Sequence, residues 1–164
     1  MNFILIISFE KLLYPIIITD ENLIKANTPL DQYVFSPLLK NDSTFFNIDK
    51  TDKAVIDFMF INCRPCIEKL DHLHELGKYK KVYIIVNWKI DSYNDYVKFY
   101  TNDKNKLKNT IFLYDTSGIF TEQFGVNLYP SEVILKDNSI IARDEGFPKY
   151  AKKEYISIRK ELLE

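Results

Sequence analysis

An eight-residue apolar run that ends in a Cys-x-x-Cys, with a helix-patterned segment behind it, restricts the fold of this chain more than any other feature. Residues 54 to 61 are apolar apart from Asp57. The run is too short for a well-formed helix and rich in β-branched and aromatic residues, so it reads as a central strand covered on both faces. Cys63 sits at its end. Beyond it Ile67, Leu70, Leu73 and Leu76 recur at helical spacing, with Glu68, Lys69, Asp71, His72 and Glu75 between them and Gly77 as the expected stop. Both cysteines therefore fall in the first helical turn. Unpaired backbone N–H groups and the positive end of the helix dipole stabilise a thiolate there, which makes Cys63 the candidate nucleophile. Pro65 lacks an N–H that the first turn would leave unused anyway, and it stiffens the loop that keeps Cys66, the candidate resolving thiol, within reach.

A lone Cys-x-x-Cys can also be half of a zinc site, but that needs two more ligands at metal spacing. The chain has no third cysteine, and its two histidines, His72 and His74, point to different faces of one helix. No metal is expected, and His72 is expected on a solvated face with His74 partly packed. At 164 residues the chain suits one well-buried domain. Its net charge of −1, with Arg64, Arg143 and Arg159 the only arginines, offers no nucleic-acid footprint. The lysines at 78 to 81 and 104 to 108 read as solvated turns.

Residues 1 to 18 are strongly apolar but are interrupted by Glu10, Lys11 and Pro15, with no small-x-small cleavage site after them. A degenerate export signal, an interfacial anchor and a packed strand all remain open. Residues 19 to 43 form an irregular lead-in with one edge strand, since Pro29 and Pro37 keep it out of a sheet interior. Residues 44 to 164 carry the main domain. Residues 44 to 48 are a short strand and 82 to 86 a buried one, so strand, helix and strand imply a parallel crossover. Ser92 caps a helix through Tyr100, Ile111 to Tyr114 is a third core strand, and 119 to 124 is a short helix closed by Gly125. Residues 133 to 135 and 139 to 142 flank Lys136-Asp137-Asn138 as a hairpin, and a C-terminal helix follows Pro148, with Tyr150, Tyr155, Ile156, Ile158 and Leu162 available for packing.

From residue 44 to 163 this α/β order resembles the thioredoxin fold, and within it the TlpA-like (ResA-type) thiol–disulfide oxidoreductases. Three local signals carry the resemblance: Asp57-Phe58 ahead of the cysteines, Cys63-Arg64-Pro65-Cys66 itself, and Gly125 to Ser131 just before a hairpin. The resemblance implies a central mixed sheet flanked by helices, an inserted helix and strand between Ser92 and Asp115, and a cis peptide bond before Pro130, which would lie beside Cys63. It also implies that Arg64, Pro65, Tyr129 and Pro130 face the substrate, and that a proline there leaves nearby backbone groups free to pair with an extended partner segment.

Alternation along the strand puts Asp57 on the face of Val55, Met59 and Ile61, a carboxylate in an apolar setting whose pKa should rise. In thioredoxins the matching acid relays a proton to the buried cysteine, which implies Asp57 as proton acceptor for Cys66, through water. Its other reading is a structural carboxylate bonded to a backbone donor or a lysine. Asn62 and Met59 stand where relatives commonly carry Trp, a departure that bears on partner preference. Arg64 adds a positive charge beside Cys63 and is expected to favour its thiolate. The resemblance implies a monomeric, cofactor-free reductant of protein disulfides in the cell envelope, re-reduced by a membrane thiol carrier. A cytoplasmic location and a binding or redox-sensing module without turnover are the alternatives.

Overall fold

The computed structural model describes residues 23 to 33, 35 to 87, 89 to 103, 108 to 148 and 151 to 164. The apolar segment 1 to 18, most of the lysine cluster at 104 to 108, and Tyr150 lie outside them. Eight strands form one mixed sheet: β1 (Ile24–Pro29), β2 (Leu38–Leu39), β3 (Phe45–Phe46), β4 (Ala54–Met59), β5 (Lys81–Asn87), β6 (Ile111–Asp115), β7 (Ser131–Lys136) and β8 (Ser139–Glu145). Their order is β1-β8-β7-β4-β5-β6-β2-β3. β4, β5 and β6 run parallel, and β7 and β8 add antiparallel on the other side of β4. The helices are α1 (Arg64–Leu76), α2 (Tyr93–Asp103), α3 (Ile119–Gln123) and α4 (Lys152–Leu162).

Every residue of β4 is buried, as its near-continuous apolar character requires of a strand covered on both faces. Its alternate side chains feed two separate cores. Val55 and Met59 join Cys66, Leu73, Ile84, Ile134 and Tyr155 on one face, while Ile56 and Phe58 join Ile85, Phe120, Phe124 and Val133 on the other. Asp137 and Asn138 both adopt positive φ, the twist a tight hairpin needs, and so close β7 onto β8. Within the lead-in, β1 pairs with β8 at one sheet edge and β2 pairs with β6, so these residues are strands of the same sheet.

The helix pattern of α1 needs correction. Its buried residues are Cys66, Lys69, Leu73 and Leu76, whereas Ile67 is exposed. The packed stripe is therefore rotated toward Cys66 and carries a lysine that spacing alone puts on the polar side. His72 is likewise half-buried, its ring edge-on to Phe147 and Tyr155 at 5.7 and 5.4 Å. Gly77 does cap α1, but in the right-handed region. Its lack of a side chain serves a close approach, because a Cβ there would lie 2.1 Å from the Asn109 carbonyl oxygen. Ser92 accepts from the Asp95 N–H and donates to its carboxylate, so the start of α2 is capped as its sequence suggests.

Candidate active site

β4 ends at Met59, and three residues carry the chain to Cys63. Two hydrogen bonds shape this link. The Cys63 N–H donates to the Phe60 carbonyl at 3.2 Å, and the Ile61 N–H donates to the Asp91 carboxylate at 2.7 Å. Cys63 is the N-cap of α1, and its Sγ accepts from the Cys66 N–H at 3.2 Å. Arg64 and Pro65 fill the first two helical positions, where a missing N–H costs nothing. Cys63 and Cys66 are joined by a disulfide. Reduction would leave the Cys63 sulfur at a helix N-terminus with a backbone donor already aimed at it, the local field that favours a thiolate.

The Arg64 side chain turns outward. It is 89% exposed and its Nε pairs with Glu68 at 2.8 Å, so its charge is spread between solvent and that carboxylate.

The loop before β7 meets this corner by strand register. Phe58 lies opposite Ser131, and continuing the antiparallel register brings Pro130 opposite Met59 and Tyr129 opposite Phe60. The Phe60 and Tyr129 rings accordingly meet edge to face at 5.4 Å. The Tyr129–Pro130 peptide bond is cis. Gly125, at φ +64, turns the chain out of α3 toward it. The Pro130 carbonyl accepts from Gly146 at 2.7 Å, and the Tyr129 hydroxyl accepts from Asn87 at 3.3 Å. A cleft of about 400 Å³ opens beside Tyr129, between Asn87, Ile90 and Asn127. A larger one, about 660 Å³, lies between Tyr79 and α4 at the opposite end of α1 from the cysteines. Helix rise alone separates the two ends by roughly 18 Å, so that cleft is no part of this site.

Asp57 is buried, as its place among apolar neighbours implies, but the group that meets it is Lys69. This lysine lies one turn beyond Cys66 on the same helix face, which is why it reaches the strand beneath. Lys69 also contacts Glu132 of β7 at 3.0 Å. Burial pushes the Asp57 carboxyl up to about 7, with the Lys69 charge pulling it down and Glu132 and Asp144 pushing it further up. For Lys69, burial acts against the ammonium, yet the three carboxylates Asp57, Glu132 and Asp144 outweigh it and raise its pKa.

Cys63, Pro65 and Cys66 thus share one helix start, Tyr129 and Pro130 flank the strand that leads into it, and Asp57 lies beneath α1. Sequence reasoning passed over Lys69, Asp91 and Glu132. Glu132 had left a signal, as an acid directly ahead of the apolar run Val133-Ile134-Leu135. The Asp91 contact, thirty residues away beyond α1 and β5, had left none.

No protein family's sequence model matches the chain, and no curated protein does. Solved structures do. The pneumococcal exposed lipoprotein thioredoxin from Streptococcus pneumoniae superposes with a TM-score of 0.65 at 24% identity, covering 78% of this chain and 99% of its own. A secreted Mycobacterium tuberculosis disulfide oxidoreductase matches at 0.65 and 13% identity, covering 80% and 98%. A thio-disulfide isomerase from Thermus thermophilus matches at 0.63 and 18%, covering 85% and 97%. Identities this low speak to architecture, and with the mixed sheet, the Cys63–Cys66 pair at the start of α1 and the cis bond before Pro130, they make this a thioredoxin fold.

Proposed function

We propose that the protein is a thiol–disulfide oxidoreductase that acts on protein partners as a reductase. The observation that carries this reading is the Cys63–Cys66 disulfide at a helix N-terminus, with the Cys66 N–H directed at the Cys63 sulfur. In the reduced protein the Cys63 thiolate attacks one sulfur of a partner disulfide, forming a mixed disulfide and expelling the partner's other sulfur as a thiolate. Asp57 then takes the Cys66 proton, directly or through a water. The Cys66 thiolate attacks the Cys63 sulfur, releasing the partner's second thiolate and leaving Cys63 and Cys66 oxidised. Two electrons pass from the pair to the partner, and a thiol donor must return them before the next cycle.

Tyr129, Pro130, Pro65 and Arg64 border the place where the partner segment would lie. The structural neighbours include a lipoprotein and a secreted protein, which supports the cell envelope as the working compartment; in this reading the donor is a membrane thiol carrier. The chain acts as a monomer in this reading.

A Cys66→Ser variant tests it. The expected result is a mixed disulfide trapped on Cys63 when the reduced variant meets a disulfide-bearing protein, released by dithiothreitol and absent in Cys63→Ser. The alternative is a binding module that keeps the fold for recognition alone. Partner binding undiminished in a Cys63→Ser, Cys66→Ser double variant, together with no trapped species, would favour that module.

A further inference from the structure

β4 leaves the sheet just before the redox turn, and its departure creates a backbone donor with no strand to meet. The ladder between β4 and β5 ends at the Met59–Val86 pair. The chain then folds into a turn closed by the Cys63 N–H on the Phe60 carbonyl, with Ile61 and Asn62 between them. The N–H of the second residue takes no part in closing such a turn, and a backbone donor turned away from water needs a partner. Asp91 supplies one. Its carboxylate accepts from the Ile61 N–H at 2.7 Å, within the short range of charge-assisted hydrogen bonds.

Asp91 is itself held in place. It is only 5% exposed, its N–H donates to the Asn87 carbonyl at 3.2 Å, and its carbonyl accepts from the Tyr114 hydroxyl at 2.8 Å. The Tyr114 ring stacks on buried Tyr96 of α2 at 5.4 Å, and Asn87 ends β5 in register with Asp115 of β6. The carboxylate is therefore fixed from β5, β6 and α2, three elements that carry no sulfur or proton acceptor of the exchange reaction. Burial pushes the Asp91 carboxyl up and the Ile61 N–H draws it back, as a buried carboxylate requires of its neighbours.

We infer that Asp91 is a positioning residue. By holding the Ile61 N–H it fixes the Phe60–Cys63 turn, and with it the place of the Cys63 sulfur at the start of α1, where the Cys66 N–H meets it. The inference deepens the proposed reaction and rests on it for its relevance to turnover, because there Cys63 is the attacking sulfur. The oxygen of Asp91 does the positioning. Its charge, two residues from Cys63, disfavours a thiolate and so works against the step that the oxygen serves.

Two substitutions separate oxygen from charge. Asp91→Asn loses the charge but keeps an acceptor oxygen for Ile61, whereas Asp91→Ala loses both. In each full-length, reduced variant, Cys63 is titrated by thiolate absorbance and its rate of reaction with oxidised glutathione is measured. Asp91→Ala is expected to react more slowly than Asp91→Asn by roughly fivefold, the equivalent of one net hydrogen bond. Its Cys63 midpoint should lie higher, and its Ile61 amide should exchange faster with solvent deuterium. Where Asp91→Ala does not fold, Asp91→Ser, whose oxygen stops one bond short of the Ile61 N–H, takes its place. Equal rates in the two folded variants, whatever their difference in stability, would overturn the inference, since a merely structural role predicts that result. Glutathione reports on the sulfur without any protein partner. A rate split that persists while Cys66→Ser traps no protein disulfide keeps the positioning role and removes the proposed function.

Discussion

Asp57 and Phe58 are neighbours on β4, both buried, and they enter two regions built on opposite terms. Phe58 points into an aromatic core, its ring 5.5 Å from Phe124 and 6.2 Å from Phe120, with Tyr33 stacked on Phe124 and Phe35 edge-on to Phe120. Asp57 points toward a cluster of buried ion pairs under α1 and α4, in which Lys69 meets Asp57 and Glu132, and Arg159 meets Glu132 and Asp144. The aromatic face tolerates many partners of suitable size because dispersion and area burial have no fixed direction. The charged face works only if each group meets its own counterpart, since an unpaired buried charge is costly. Both faces of the sheet hold apolar cores, and the face beneath α1 and α4 buries a set of paired charges among them as well.

The largest expected effect lies on the aromatic side. Phe58→Ala should cost about 3–5 kcal/mol in urea unfolding, while the pH profile of disulfide exchange stays in place. A shifted profile would mean that the two faces are not separate. Asp57→Asn should act in the opposite direction on stability. The folded pKa of Asp57, about 7, lies above its ordinary value of 3.8. Its favourable contribution is therefore complete below that ordinary value and is lost as pH rises through about 7. The variant should be the more stable protein, with its advantage growing by on the order of 2 kcal/mol between pH 5 and pH 8, and its exchange rate should lose the inflection near neutrality.

Paired hydroxyl deletions sharpen the contrast further. Tyr155→Phe removes a buried hydrogen bond to the Glu132 carboxylate and should cost about 1.5 kcal/mol. Tyr33→Phe, on the aromatic face, removes only a long contact from Arg143 at 3.3 Å and should cost less than about 0.5 kcal/mol. Equal losses would show that polar satisfaction does not distinguish the faces. The smallest effect belongs to Arg64→Gly. With its side chain in solvent and on Glu68, its removal should raise the Cys63 pKa by only a few tenths of a unit, read from thiolate absorbance at 240 nm.

The core strands, the redox turn and the hairpin were readable in the sequence because they follow from local pattern. The apolar runs of β4, β5 and β6 announce buried strands, the Asp137-Asn138 turn announces the hairpin, and Cys63, Pro65 and Cys66 lie within four residues of one another. The cis bond before Pro130 was legible only through the resemblance of its loop. The charged face was largely hidden. Lys69 looked like a surface residue because helical spacing alone could not tell that α1 turns Cys66 and Lys69, rather than Ile67, toward the sheet. Its counterparts Glu132, Asp144 and Arg159 lie more than sixty residues further on; the β4-β7-β8 register brings the two acids into line with Asp57, and α4 brings Arg159 onto them. Strand β2, two residues long, is too short to carry any period.

The central claim, that Cys63 and Cys66 form an exchanging redox pair, is tested most directly by equilibrating the protein in glutathione buffers of graded ratio and counting alkylated thiols by mass spectrometry. The account predicts a single two-electron transition between fully blocked and doubly alkylated protein, with a midpoint between about −270 and −120 mV, the span from thioredoxin to the strongest oxidants of this fold. A Cys63–Cys66 pair that stays accessible to the reagent but never equilibrates with glutathione would contradict it.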